Sequence, residues 1–170
     1  MQLGKYNKIL TSEGRCDRSE LFSENVMQEH KTKLAKAKED GDTRLLIEVL
    51  LSLRVNALQI APELRKNLVY EIIRNDIFLL KTRNRNQFLI ELLSIQNNNL
   101  RHALLSLISI VCSTLKGVEY IMTNDQLVLV SLIQILKQMP KKESGSVNHR
   151  FLTAILQKVS IKIETVPIFI

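Results

Sequence analysis

Tryptophan is absent from this 170-residue chain, and glycine (five), proline (three) and cysteine (two) are scarce. So few glycines and prolines leave little of the turn punctuation that a sandwich or barrel of short strands requires. The two cysteines, Cys16 and Cys112, lie far apart with no Cys-x-x-Cys pair. That arrangement argues against a disulfide-stapled framework, and a reducing compartment such as the cytoplasm is the expectation. The glycines are isolated, so no phosphate-cradling loop is available. Three histidines, His30, His102 and His149, stand in no metal-ligand spacing with cysteines or carboxylates. No catalytic residue, cofactor site, metal site or small-molecule substrate is expected.

Long apolar runs are also missing. The most apolar windows, Ala103–Val111 and Leu127–Leu136, reach about half of the ~20 residues that span a bilayer. The opening residues, Met1 to Lys8, lack the apolar core of a signal peptide. Aromatics are limited to five Phe and three Tyr, most of them on apolar stripes, which is too few for a surface that stacks bases.

What the chain does contain is leucine and isoleucine at helical spacing, within a hydrophobic fraction of 45%. Its formal charge is +7 and its pI about 9.5. Such a balance suits an acidic partner, although most of the basic residues are spread along the chain as solvating charges. Lys81, Arg83 and Arg85 are the exception, forming a compact basic loop over residues 81–86 with no acidic residue between them.

Residues 1–16 show no sustained periodicity and are read as a flexible lead-in. Residues 17–40 read as a weakly amphipathic helical arm, capped by Asp17 or Ser19, which either packs on the first repeat or projects. Residues 41–170 read as a series of helical repeats. Asp42 or Thr43 caps a helix with Leu46, Val49, Leu50, Leu53 and Ala57 inward. Pro62 opens the next, where its missing N–H costs nothing, with Leu64, Leu68, Val69, Ile72 and Ile73 inward.

Asn97-Asn98-Asn99 separates a helix containing Phe88, Leu92 and Leu93 from the most apolar helix of the chain, placed at 99–115. Its stripe of Leu100, Ala103, Leu104, Leu107, Ile108, Val111 and Leu115 is the expected central core, and Gly117 is expected to end it. A short helix carries Tyr120, a long one spans 125–138, and Pro140–Ser146 is a solvated loop. Val147–Val159 then repeats the pattern of the 99–115 helix. The apolar end Ile168-Phe169-Ile170, where a terminal repeat would carry a polar cap, suggests a fragment, a truncated isoform or a partner-covered half-repeat.

The stretch 100–138 has about the length of one armadillo repeat. Units of this kind cannot shelter their apolar faces singly and must stack. The expected fold class is all-α, an armadillo/HEAT-like right-handed α-solenoid of about three partial or full repeats, ending in an incomplete one. The expected function is non-catalytic binding of a protein or peptide. Candidate contacts are Gln126, Gln134, Lys137 and Gln138 on the 125–138 helix, with Lys81, Arg83, Arg85 and Arg101 as basic positions. The alternative is a basic helical-repeat module that binds nucleic acid or an acidic tubulin tail through loop 81–86.

Three stretches, Val69-Tyr70-Glu71-Ile72-Ile73-Arg74-Asn75-Asp76, Leu115-Lys116-Gly117-Val118-Glu119-Tyr120-Ile121 and Ala154-Ile155-Leu156-Gln157-Lys158-Val159-Ser160, carry a family resemblance. In order and spacing, residues from about 65 to 170 resemble the armadillo region of a ciliary family that joins a LisH dimerisation motif to armadillo repeats (armadillo repeat-containing protein nine and relatives). The resemblance implies a scaffold at the ciliary basal body or axoneme that supports cilium assembly or signalling. The first 60 residues show no LisH pattern, so dimerisation through that motif is not carried over.

Overall fold

A computed structural model describes residues 22–60, 62–81, 87–123 and 127–161, with the side chains of Pro62 and Glu63 excepted. The expected lead-in, the caps at Asp17 and Ser19, the candidates Arg83, Arg85 and Gln126, and the apolar end at 168–170 lie outside the described residues. Within them the chain is all-helical, without strands: α1 (Glu24–Glu39), α2 (Thr43–Gln59), α3 (Pro62–Arg74), α4 (Gln87–Ser94), α5 (Asn98–Val111), α6 (Leu115–Ile121), α7 (Leu127–Gln138) and α8 (Val147–Ser160).

Local chemistry sets many of these boundaries. Side-chain oxygens of Ser23, Asp42, Asn97, Thr114 and Ser146 accept from backbone N–H groups in the first turns of α1, α2, α5, α6 and α8. Each supplies a partner to one of the N–H groups that a helix start leaves open. Gly41, with φ +69°, makes the left-handed turn between α1 and α2, where an L side chain would be strained.

The packing has a period of three helices. α2 lies along α5 and α5 along α8, α3 packs against α6, and α4 packs against α7. The Lys38–Glu91 ion pair joins α1 to α4. Each set of three consecutive helices therefore finds its neighbours in the next set, as in an α-solenoid. α5 and α8 run parallel in a constant register. Asn148 Nδ2 reaches the Asn98 carbonyl at 3.5 Å, His102 and Phe151 meet edge to face at 5.5 Å, and Lys158 Nζ donates to the Ser109 carbonyl at 2.8 Å.

The core runs through every layer. Leu100, Ala103, Leu104, Leu105, Leu107 and Ile108 of α5 are wholly buried, so this helix is covered on almost its entire circumference. The buried residues of α2 (Leu46, Val49, Leu50, Leu53, Ala57) and of α8 (Leu152, Ile155, Val159) face it from either side. Of the two dispositions open to the 17–40 segment, α1 takes the packed one. It lies on α2 with Met27, Leu34 and Ala37 buried.

Several expectations are corrected. α5 ends at Val111 with Cys112 as its C-cap, and Gly117 does not terminate it. Gly117 sits inside α6, buried, where a Cβ would overlap the Val111 carbonyl. Its role is close approach of α6 to the end of α5. Leu115, placed in the central stripe, is 67% exposed at the start of α6. The stripe ends early because the chain turns at Ser113 and Thr114, where Thr114 caps the next helix. Leu64 of α3 is 41% exposed rather than inward.

A polar knot holds the chain between α3 and α4. Residues 75–80 leave α3 as a tight turn in which Asp76 (φ 50°) and Leu79 (φ 54°) are left-handed, a costly conformation for leucine. The buried Asp76 carboxylate accepts from Leu80 N at 2.8 Å, from Lys81 N, and from the Tyr120 hydroxyl at 2.7 Å. The same hydroxyl accepts from Phe78 N at 3.1 Å. Burial, with the Asp76 charge beside it, holds the Tyr120 phenol far above its ordinary range, so it remains a donor. Asn75 extends the knot to α1, accepting from Gln28 Nε2 at 3.0 Å while its backbone carbonyl accepts from Lys31 Nζ at 2.9 Å.

Two mutations probe these contacts. Tyr120→Phe removes one donor from a buried carboxylate and one acceptor from a buried N–H, and should cost about 2–4 kcal/mol in denaturant unfolding. Loss of less than about 0.5 kcal/mol would contradict the knot's role. Gly117→Ala should destabilise by roughly 1–3 kcal/mol despite alanine's better helix propensity, because α6 must back away from Val111. A stabilised variant in the same unfolding experiment would show that the approach is not tight.

Candidate functional groove

A concavity opens between α4, the start of α5, one side of α7 and the 3-10 turn Lys141–Glu143 just past α7. Its volume is about 490 Å³. Each wall derives from a local rule. On α7, Ser131, Gln134, Ile135 and Gln138 recur at the three- and four-residue spacing that places side chains on one helix face. An adjoining face of the same helix buries Val128, Leu129 and Leu132. α4 contributes Ile90 and Leu93 to the floor, and Met139 closes one end.

Arg101 enters from the first turn of α5. The Asn97 side chain, which accepts from Asn99 N and Leu100 N at 3.0 Å, sets that turn's direction. Leu100 is buried, and Arg101 comes next in the chain, at the groove wall. Its Nη2 reaches Gln96 Oε1 at 3.4 Å, a long hydrogen bond. Its Nε is shielded from solvent and has no hydrogen-bond partner among the described residues. The other charged lining residue is Glu143, and no ion pair joins it to Arg101 among the described residues.

Three residues expected to make contacts thus converge here: Arg101, Gln134 and Gln138. Lys137 is exposed in the last turn of α7 but does not line the groove. Lys81 lies elsewhere. Its Nζ donates to the Ile73 carbonyl at 2.5 Å and stands 5.9 Å from the centre of the Tyr120 ring. It therefore closes the C-terminal end of α3 over the Asp76 knot. Sequence reasoning missed Gln96, Ile90, Leu93 and Glu143. Only the pairing of α4 with α7, some 40 residues on, brings them to the same wall. The signal within reach was Gln96 beside the Asn97 cap, five residues before Arg101.

A shallower recess of about 330 Å³ adjoins the groove at Asn98 and Glu143 and is lined also by His102 and Asn148. Asn148 Oδ1 is buried there without a hydrogen bond among the described residues.

Elsewhere the titratable groups carry packing roles. Cys112 is 2% exposed, and burial pushes its thiol up to about 12, so it stays protonated at neutral pH. Among the described residues, no group of His, Cys, Asp and Glu is arranged to hold a metal ion, and no helix is long and apolar enough to cross a membrane. No family model matches the chain, and comparison with curated proteins and with solved structures likewise finds no match.

His30 on α1 supplies a pH-dependent contribution. Burial, and secondarily the Lys33 charge, hold its imidazole below the ordinary 6.5, and its Nδ1 is buried without a hydrogen bond among the described residues. The folded state therefore resists a proton that the unfolded chain accepts, so stability contributed by neutral His30 is complete above about pH 6.5 and declines as pH falls below it. The difference in melting temperature between the wild type and His30→Gln should change between pH 7 and pH 5, with the wild type losing ground on acidification. A constant difference would remove His30 from the balance.

Proposed function

We propose that this chain is a non-catalytic scaffold whose stacked helices are armadillo-type repeats in a right-handed superhelix, and that it binds a protein or peptide partner. The observation that carries this reading is the three-helix packing period, α2 with α5 with α8, α3 with α6 and α4 with α7. Repeats stacked in this way form continuous surfaces on which extended segments lie. The groove at Arg101 adds a concave wall with polar groups aimed into it. From the family resemblance, the setting we propose is the cytoplasm at the ciliary basal body or axoneme, in support of cilium assembly or signalling.

A displayed library of random peptides selected on the full chain tests the binding role. Enriched peptides should perturb backbone amide signals in a contiguous set of residues on one surface of the stack. A selection that returns no peptide above background would overturn the role. The setting is tested independently by the position of the tagged full chain in ciliated cells. Concentration at the base or along the shaft of the cilium is expected, and a uniform distribution would sink that part.

A further inference from the structure

An arginine Nε–H removed from water without an acceptor is an expensive arrangement for a charged donor. Arg101 holds its Nε in that state at the wall of an open groove, and only a long bond to Gln96 occupies its Nη2. With Nε enclosed, the terminal edge of the guanidinium remains for a ligand, where one N–H of each Nη points the same way and the pair matches the two oxygens of a carboxylate. Glu143, the carboxylate that lines the groove among the described residues, does not pair with it.

The surrounding charge favours an anion. Lys137, Lys141 and Lys142 are exposed beside the lining residues Gln138, Pro140 and Glu143, so the rim carries more positive than negative charge. The acidic residue nearest on α4, Glu91, is already engaged with Lys38. The floor is apolar, built from Ile90, Leu93, Ile135 and Met139, and among the described residues no aromatic side chain lines the groove. A nucleic acid would find no surface for base stacking, whereas an aliphatic side chain would cover the floor.

We propose that the groove between α4, α5 and α7 binds an extended acidic peptide segment, with a Glu or Asp carboxylate accepting from the terminal Nη groups of Arg101 and a neighbouring aliphatic side chain on Ile90, Leu93 and Ile135. Gln134 and Gln138 face the segment's backbone as amide donors and acceptors. The assignment rests on the scaffold reading and specifies its partner. The Lys81 amine is held against Ile73 and Tyr120, away from this groove.

The test uses the full chain and a labelled, end-capped peptide of alternating Leu and Glu, with its Leu-Gln counterpart as control. The Glu peptide should bind about tenfold or more tightly than the Gln peptide and move the Arg101 Nε–H signal in an NMR titration. Arg101→Gln should erase the preference, and Glu143→Gln should tighten binding roughly two- to fivefold by removing a competing charge. Equal affinity for the two peptides, an unmoved Arg101 signal at saturation, or displacement of the Glu peptide by an oligothymidylate would overturn the assignment. If Arg101→Gln does not fold, the Arg101 signal and Glu143→Gln decide the matter. Library-selected peptides that bind elsewhere while the Glu peptide fails would refute the groove and leave the scaffold standing. Failure of both would refute both.

Discussion

A helix with apolar residues around nearly its whole circumference cannot stand in water, and α5 is such a helix. From Ala103 to Ile108 every side chain is buried, which requires partners on more than one side. α2 and α8 supply two of them, and α4 and α6 approach α5 as well. The stacked architecture is the consequence of that requirement. Removing any one neighbour would expose leucines whose burial contributes about 1.5–3 kcal/mol each.

The layers also need fixed positions along one another, and apolar contact alone sets register weakly because it has little directionality. Directional bonds at the ends of the helices supply it. Lys158 to Ser109 and Asn148 to Asn98 hold α8 against α5. The Asp76–Tyr120 knot ties the exit of α3 to α6. A buried carboxylate is tolerated there because its oxygens receive three donors, and the strained left-handed turn at Leu79 is tolerated because the knot holds it closed. The stretches 69–76 and 115–121 meet at this knot.

The groove arises where regular packing leaves a gap. Residues of α4, the first turn of α5 and one side of α7 line the hollow without filling it. Arg101 occupies the hollow, too long to join the core and too enclosed to reach solvent with its Nε. A charged side chain in that position distinguishes the groove wall from an ordinary solvated face.

Several helix starts were legible in the residues themselves, because capping side chains and apolar spacing act over a few positions: Asp42 before α2, Pro62 at the start of α3, Asn97 before α5. The equivalence of α5 and α8 was legible too, since both needed the same buried face. Local pattern could not decide that Gly117 serves an approach to Val111 rather than a helix end, because glycine signals both. Nor could it show that Leu115 and Leu64 remain exposed, since a leucine at helical spacing carries no label for which side acquires a neighbour. Among the candidate contacts, Arg101, Gln134 and Gln138 were each visible as polar residues near an apolar stripe. Their convergence, together with Ile90, Leu93 and Glu143, depended on α4 meeting α7. That meeting is a long-range consequence of how successive sets of three helices stack, and no spacing within a single helix encodes it.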